Sequence, residues 1–245
     1  MRQDIADSVE VAGARRLGRI NRVAAVAFTI GGSLFALGAA FAQFGVGSLE
    51  LVNITYLVGG FFFSLGGYTS ILLVVNISQD QRGAAKADRM RWWSFQPHHL
   101  GWLSAVVLFV GTLLFAVSLV AAFASGLTPR QSNGWIWFPD ILGCICFLAS
   151  GHLALLDVCD GRIGVRAHQV DWWVVAVNQI GSILFFLAGL AAFTRPATSR
   201  AVDIGLVNWG TFAGAICFAF GGLIQVFDTP TPTRTAVNTR HDETQ

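Results

Sequence analysis

The stretch "GSILFFLAGLAAF", Gly181–Phe193, decides how the chain reads, because nearly the same phrase occurs as "GGSLFALGAAF" at Gly31–Phe41 and "GTLLFAVSLVAAF" at Gly111–Phe123. Each copy opens on Gly, places Phe four residues on, and has a small residue three beyond that. The triplets are Gly31, Phe35, Gly38; Gly111, Phe115, Ser118; and Gly181, Phe185, Ala188. Three other segments carry the same spacing: Gly59, Phe63, Gly66; Gly143, Phe147, Ser150; and Gly214, Phe218, Gly221. At about 100° per residue, such triplets fall within a sector of about 60° on a helix. Each segment thus presents one narrow stripe, a ring between two small residues.

The flanking sequence shows what kind of helix this is. Of the 245 residues, 54% are hydrophobic and 12% are charged, which is too apolar for an ordinary water-soluble domain. Crossing about 30 Å of hydrocarbon takes roughly 20 apolar residues. Six runs qualify: 23–44, 53–76, 101–124, 136–157, 172–193 and 207–227. They are continuous rather than alternating, so helices are expected and a barrel is not. The expected class is an all-α, polytopic membrane protein of six transmembrane helices. The first run resembles a signal peptide in having "AFA" at Ala40–Ala42, but its apolar region is too long and it carries the recurring phrase.

Orientation follows from the basic residues. Most of the 16 Lys and Arg precede the first run (Arg15, Arg16, Arg19 and Arg22 among them), follow the second (Arg82, Lys86, Arg89, Arg91) or the fourth (Arg162, Arg166), or lie in the tail. Only Arg130, Arg195 and Arg200 fall on the other side. The positive-inside rule then places both termini in the cytoplasm. Arg far outnumbers Lys and Ala, Gly and Val abound, which suggests a bacterial cell membrane as the location.

In lipid, helices associate through close approach over small residues, so the stripes read as helix packing with a Phe of one helix filling the notch left by a Gly of another. The glycines of the odd runs are 80 and 70 residues apart and those of the even runs 84 and 71, which implies an internal repeat of three helical hairpins. The divisions are a cytoplasmic segment 1–21, hairpins 22–78, 99–158 and 171–228, linkers 79–98 and 159–170, and a disordered cytoplasmic tail 229–245. The segment 1–21 reads as a partly amphipathic helix. The phrases "GSILFFLAG" and "GGSLFALGAAF", paired with "GAICFAFGGL" and "GGFFFSLGGY", resemble a bacterial membrane domain of the YrhK type, a two-helix hairpin. That resemblance implies three tandem copies and no established activity, so it transfers no functional residue to this chain.

Function is sought where the copies differ. Asp140, in "WIWFPDILG", is the one acid well inside a run, and an intramembrane carboxylate is a functional-site candidate. It lies three residues before Gly143; Tyr56 and Thr211 hold the equivalent places before Gly59 and Gly214. Around a pseudo-threefold axis these three would form a polar ring. The competing reading has Asp140, next to Pro139, capping the first turn of its helix. Asn178, three residues before Gly181, is a further candidate for the lining of a pathway, or else it makes an interhelical hydrogen bond together with Gln179. A haem held by His152 with His98 or His99 would need both rings to face one cavity, which the sequence does not show, so none is expected. Cys144, Cys146, Cys159 and Cys217 show no metal spacing, so neither cofactor nor metal is expected. The chain reads as a non-enzymatic structural or partner-binding membrane component. The alternative is a small transporter or channel with a polar site around Asp140. The lipid bilayer is the expected surrounding, with a membrane-protein partner or a homo-oligomer possible and no nucleic acid.

Overall fold

The computed structural model of the chain describes residues 2–80 and 90–227, with side chains from 11 to 77 and from 90 to 227. The expected tail 229–245 and part of the linker 79–98 lie outside the described residues. Long helices are α1 (Arg2–Phe44), α2 (Leu49–Asp80), α3 (Leu100–Ala121), α5 (Phe138–Val158), α6 (Val170–Ala191) and α7 (Ile204–Gln225). A short α4 (Pro129–Ser132) precedes α5. Six helical stretches are long and apolar enough to cross a membrane, and they coincide with the six runs read from the sequence. The architecture is that of a multi-pass membrane protein.

Segment 1–21 is helical from Arg2 and joins the first apolar run without a break, as part of α1. Nothing in "RRLGRINRVAA" breaks a helix: it contains no Pro, and Leu17, Ile20 and Ala24 continue the buried face. The all-helical expectation is departed from between α6 and α7, where two-residue strands β1 (Thr194–Arg195) and β2 (Arg200–Ala201) pair antiparallel, Thr194 opposite Ala201. At the turn from α1 to α2, Gly45 adopts φ 64°, and the Val46 amide donates to the Phe41 carbonyl at 2.9 Å. This is the left-handed helix stop that glycine permits.

The helices form a closed ring. Helix α1 packs on α2, α2 on α3, α3 on α5, α5 on α6, α6 on α7, and α7 returns to α1. Neighbours run antiparallel, so the 45–48, 122–128 and 192–203 connections gather at one end, the loop end. The start of α1 and the end of α7 meet at the other, the terminal end, where the Asn21 and Gln225 side chains hydrogen-bond at 2.9 Å. The closing seam is also pinned at the loop end, where Asn208 donates to Gln43 at 3.1 Å.

Each successive helix pair uses its Gly–Phe stripe in the same way. A Cβ added to Gly59 would meet Phe35 at 2.7 Å and the Gly31 carbonyl at 3.2 Å. At Gly143 it would meet Phe115 at 2.8 Å and the Gly111 carbonyl at 3.1 Å; at Gly214, Phe185 at 2.6 Å and the Gly181 carbonyl at 2.9 Å. The partner glycines do the same in reverse, with Gly31 against Phe63, Gly111 against Phe147 and Gly181 against Phe218. The missing side chains therefore let two backbones touch while each ring fills the opposite notch.

These six rings meet on the axis of the bundle. Within pairs, Phe35–Phe63, Phe115–Phe147 and Phe185–Phe218 have centroids 5.2, 5.1 and 5.2 Å apart. Phe63, Phe147 and Phe218 form a closed triangle with separations of 6.3, 5.4 and 5.7 Å. Phe185 touches both Phe35 and Phe115, at 6.1 and 6.2 Å. The result is a two-layer aromatic plug, all six rings buried. Aromatic pairs at these distances contribute about 0.5–1.5 kcal/mol each beyond area burial. The plug leaves a gap of only about 10 Å³, lined by rings with Gly60 and Thr112. A water needs about 10–15 Å³ by the same measure and several polar partners, so the centre excludes it.

Candidate functional site

Between the plug and the loop end, the ring of helices encloses a cavity of about 250 Å³. Every helix of the ring contributes: Phe35, Tyr56, Phe115, Asp140, Phe185 and Thr211 come from α1, α2, α3, α5, α6 and α7 in turn. Phe35, Phe115 and Phe185 are the upper layer of the plug and serve as its floor. Ser132, Ala192 and Thr194 lie toward the loop end. The cavity is a blind vestibule.

The residues expected to form a polar ring, Asp140, Tyr56 and Thr211, all line this space. Each lies almost one turn from its Gly, toward the loop end, so the stripe that places Phe on the axis also places these three around the axis one level higher. Tyr56 rests on the notch at Gly38, where an added Cβ would meet its ring at 3.1 Å, and its ring stands 5.3 Å from Phe35.

The capping reading of Asp140 is corrected by the backbone. Helical structure does not begin at Pro139 but at Pro129, after a capping box in which Thr128 accepts from the Gln131 amide and Gln131 accepts from the Thr128 amide at 3.0 Å. Between α4 and α5, Asn133–Trp137 forms one π-helical turn, and the Phe138 amide donates to the Asn133 carbonyl. The cause is Pro139, which has no N–H for the carbonyl one α-turn back; a wider turn re-registers the ladder there. Asp140, in the first turn of α5, therefore follows helical backbone that already runs from Pro129 rather than opening a helix.

The π turn is held by tertiary contacts. Asn133 donates to the Thr194 carbonyl at 2.8 Å and accepts from the Thr194 amide at 2.9 Å, which clamps it to β1. Trp137 donates its indole N–H to the Gly189 carbonyl at 2.8 Å. Gly189 also leaves room for the acid, since an added Cβ would lie 3.4 Å from Oδ2 of Asp140. Among the described residues lining the vestibule there is no Lys, Arg or His. Arg130, Arg195 and Arg200 are exposed on the loop end.

Asn178 does not line this space. It stands three residues before Gly181, as Phe28 stands before Gly31, and fills the equivalent notch: Phe28 meets Gly66, and Asn178 meets Gly221. The stripe spacing fixed its face correctly, but its depth is on the terminal side of the plug. Gln179 similarly occupies the notch at Gly151 and donates to the Leu148 carbonyl at 3.4 Å. His152 is exposed on the outer flank of α5, and His99 is turned into the first turn of α3, where it accepts from the Trp102 amide at 3.2 Å. Among the described residues no group of three or more His, Cys, Asp or Glu is placed to hold a metal.

Sequence reasoning missed Trp137, Asn53 and Ser118 as lining residues. Ser118 carried a signal, being the third member of its stripe and toward the loop end. Trp137 did not, because its place on the wall depends on the π turn. Compared with protein families, curated proteins and solved structures, the chain finds no match.

Proposed function

We propose that this protein is a non-conducting, non-enzymatic binding component of a bacterial cell membrane, which presents a blind vestibule to the outside and is sealed across its middle. The observation that carries this reading is the two-layer Phe plug beneath a vestibule that contains Asp140. A conduit needs a continuous polar path, whereas here the polar residues end on Phe35, Phe115 and Phe185. Both termini face the cytoplasm, in keeping with the Arg-rich terminal end. The recurrent Gly–Phe contact of the three helix pairs supports descent from a multiplied YrhK-type hairpin.

The test is solute and ion flux in proteoliposomes. Wild-type protein is expected to be silent, and Phe63→Ala combined with Phe147→Ala and Phe218→Ala to leak. A saturable wild-type flux would refute the sealed reading and favour a transporter gated at the plug.

A further inference from the structure

The chemistry of the vestibule narrows what it can hold. Its single acid, Asp140, has no basic residue beside it on the cavity wall, and the nearest loop cations are exposed. A carboxylate facing a largely apolar wall is held ionised by a compensating charge or by hydrogen bonds, and otherwise takes up a proton. Beside it the wall has the aromatic Phe35, Phe115 and Phe185 below, Tyr56 on one side and Trp137 on another, and its remaining polar side chains are hydroxyls and the Asn53 amide, all uncharged. Ring faces carry negative potential and attract cations, most strongly where water is displaced.

An anion would meet Asp140 in a site that has no cationic donor. A hard metal cation is held chiefly by carboxylates among six or more oxygen ligands, and the vestibule offers one carboxylate, its other side-chain oxygens being uncharged hydroxyls and one amide. A neutral apolar guest would leave the acid unpaired. A small organic cation, with an ammonium or quaternary nitrogen and an apolar body, engages both the acid and the aromatic walls. From this geometry we infer that the vestibule binds a small organic ammonium ion, the charge set against Asp140 and the alkyl groups against the rings. The inference rests on the vestibule reading above and names its ligand class.

The experiment uses the full-length protein in lipid nanodiscs, with choline as the probe and, as comparison, the uncharged isostere in which carbon replaces the quaternary nitrogen. Binding is read by calorimetry and by thermal shift. Choline is expected to bind roughly tenfold or more tightly than its isostere, and Asp140→Asn to abolish that preference. Tyr56→Leu is expected to weaken choline while leaving the isostere less affected. Equal binding of the two probes would overturn the cation assignment and leave the vestibule reading intact, as would binding of neither. The wild-type preference does not depend on any variant folding. Flux of choline across a proteoliposome would count against the sealed reading without touching the ligand class.

Discussion

Replacing Gly32 with Ala tests the closing seam of the ring. The added Cβ would lie 2.6 Å from the Ala219 amide nitrogen, 2.7 Å from the Ala215 carbonyl and 3.0 Å from the Ala219 Cα. All three are backbone atoms of α7, so no side chain can rotate away. Relief needs α1 and α7 to part by about 0.8 Å, since ordinary carbon contact starts near 3.4 Å. Overpacking of this kind costs about 1–3 kcal/mol, and a clash with backbone atoms alone belongs at the upper end. The same substitution at Gly18 meets nothing within 4 Å. There it should stabilise, by about 0.5–1 kcal/mol, because Ala is the better helix former. Reversible unfolding in mixed micelles measures both variants. Equal stability of Gly32→Ala and wild type would mean that α1 and α7 do not approach as described.

Asn76 is fully buried and grips the Arg91 peptide from both sides, donating to its carbonyl at 2.9 Å and accepting from its amide at 3.1 Å. Asn76→Ala should cost about 1–3 kcal/mol, by leaving that peptide unpaired, and should speed proteolysis within residues 90–99. A double-mutant cycle on Asn21→Ala and Gln225→Ala should give a coupling of about 0.6–1.7 kcal/mol, read from unfolding in micelles. Arg166 and Asp160 form an ion pair on the connection between α5 and α6, with 31% and 75% of their side chains exposed. Arg166→Ala should leave the thermal midpoint unchanged, as exposed pairs contribute little.

How much of this was legible in the sequence depended on whether a feature lay along one helix or between helices. The Gly–Phe stripes were visible because a spacing of four and seven residues puts atoms on one face whatever the neighbours do. Tyr56, Asp140 and Thr211 were found by the same register, since equivalent positions on aligned helices reach equivalent depths. Asn178 shared the face but not the depth, and became packing at Gly221. The π turn was hidden. "GWIWFP" reads as a helix start at Pro139, and only the clamp from Asn133 to Thr194, on another loop, holds helical backbone through it. The closure of α7 on α1 was also hidden, because it rests on Gly32 and Gly222 meeting opposing backbones rather than on any motif.

The central claim is that water reaches Asp140's level from the loop end and stops at the rings. Thiol labelling measures this directly, in protein with Cys144, Cys146, Cys159 and Cys217 replaced by Ala and a membrane-impermeant reagent applied to each side in turn. Thr211→Cys is expected to be labelled from the loop end only. Thr112→Cys, which borders the gap inside the plug and is 1% exposed, is expected to resist labelling from both sides. Rapid labelling at position 112 would contradict a sealed centre.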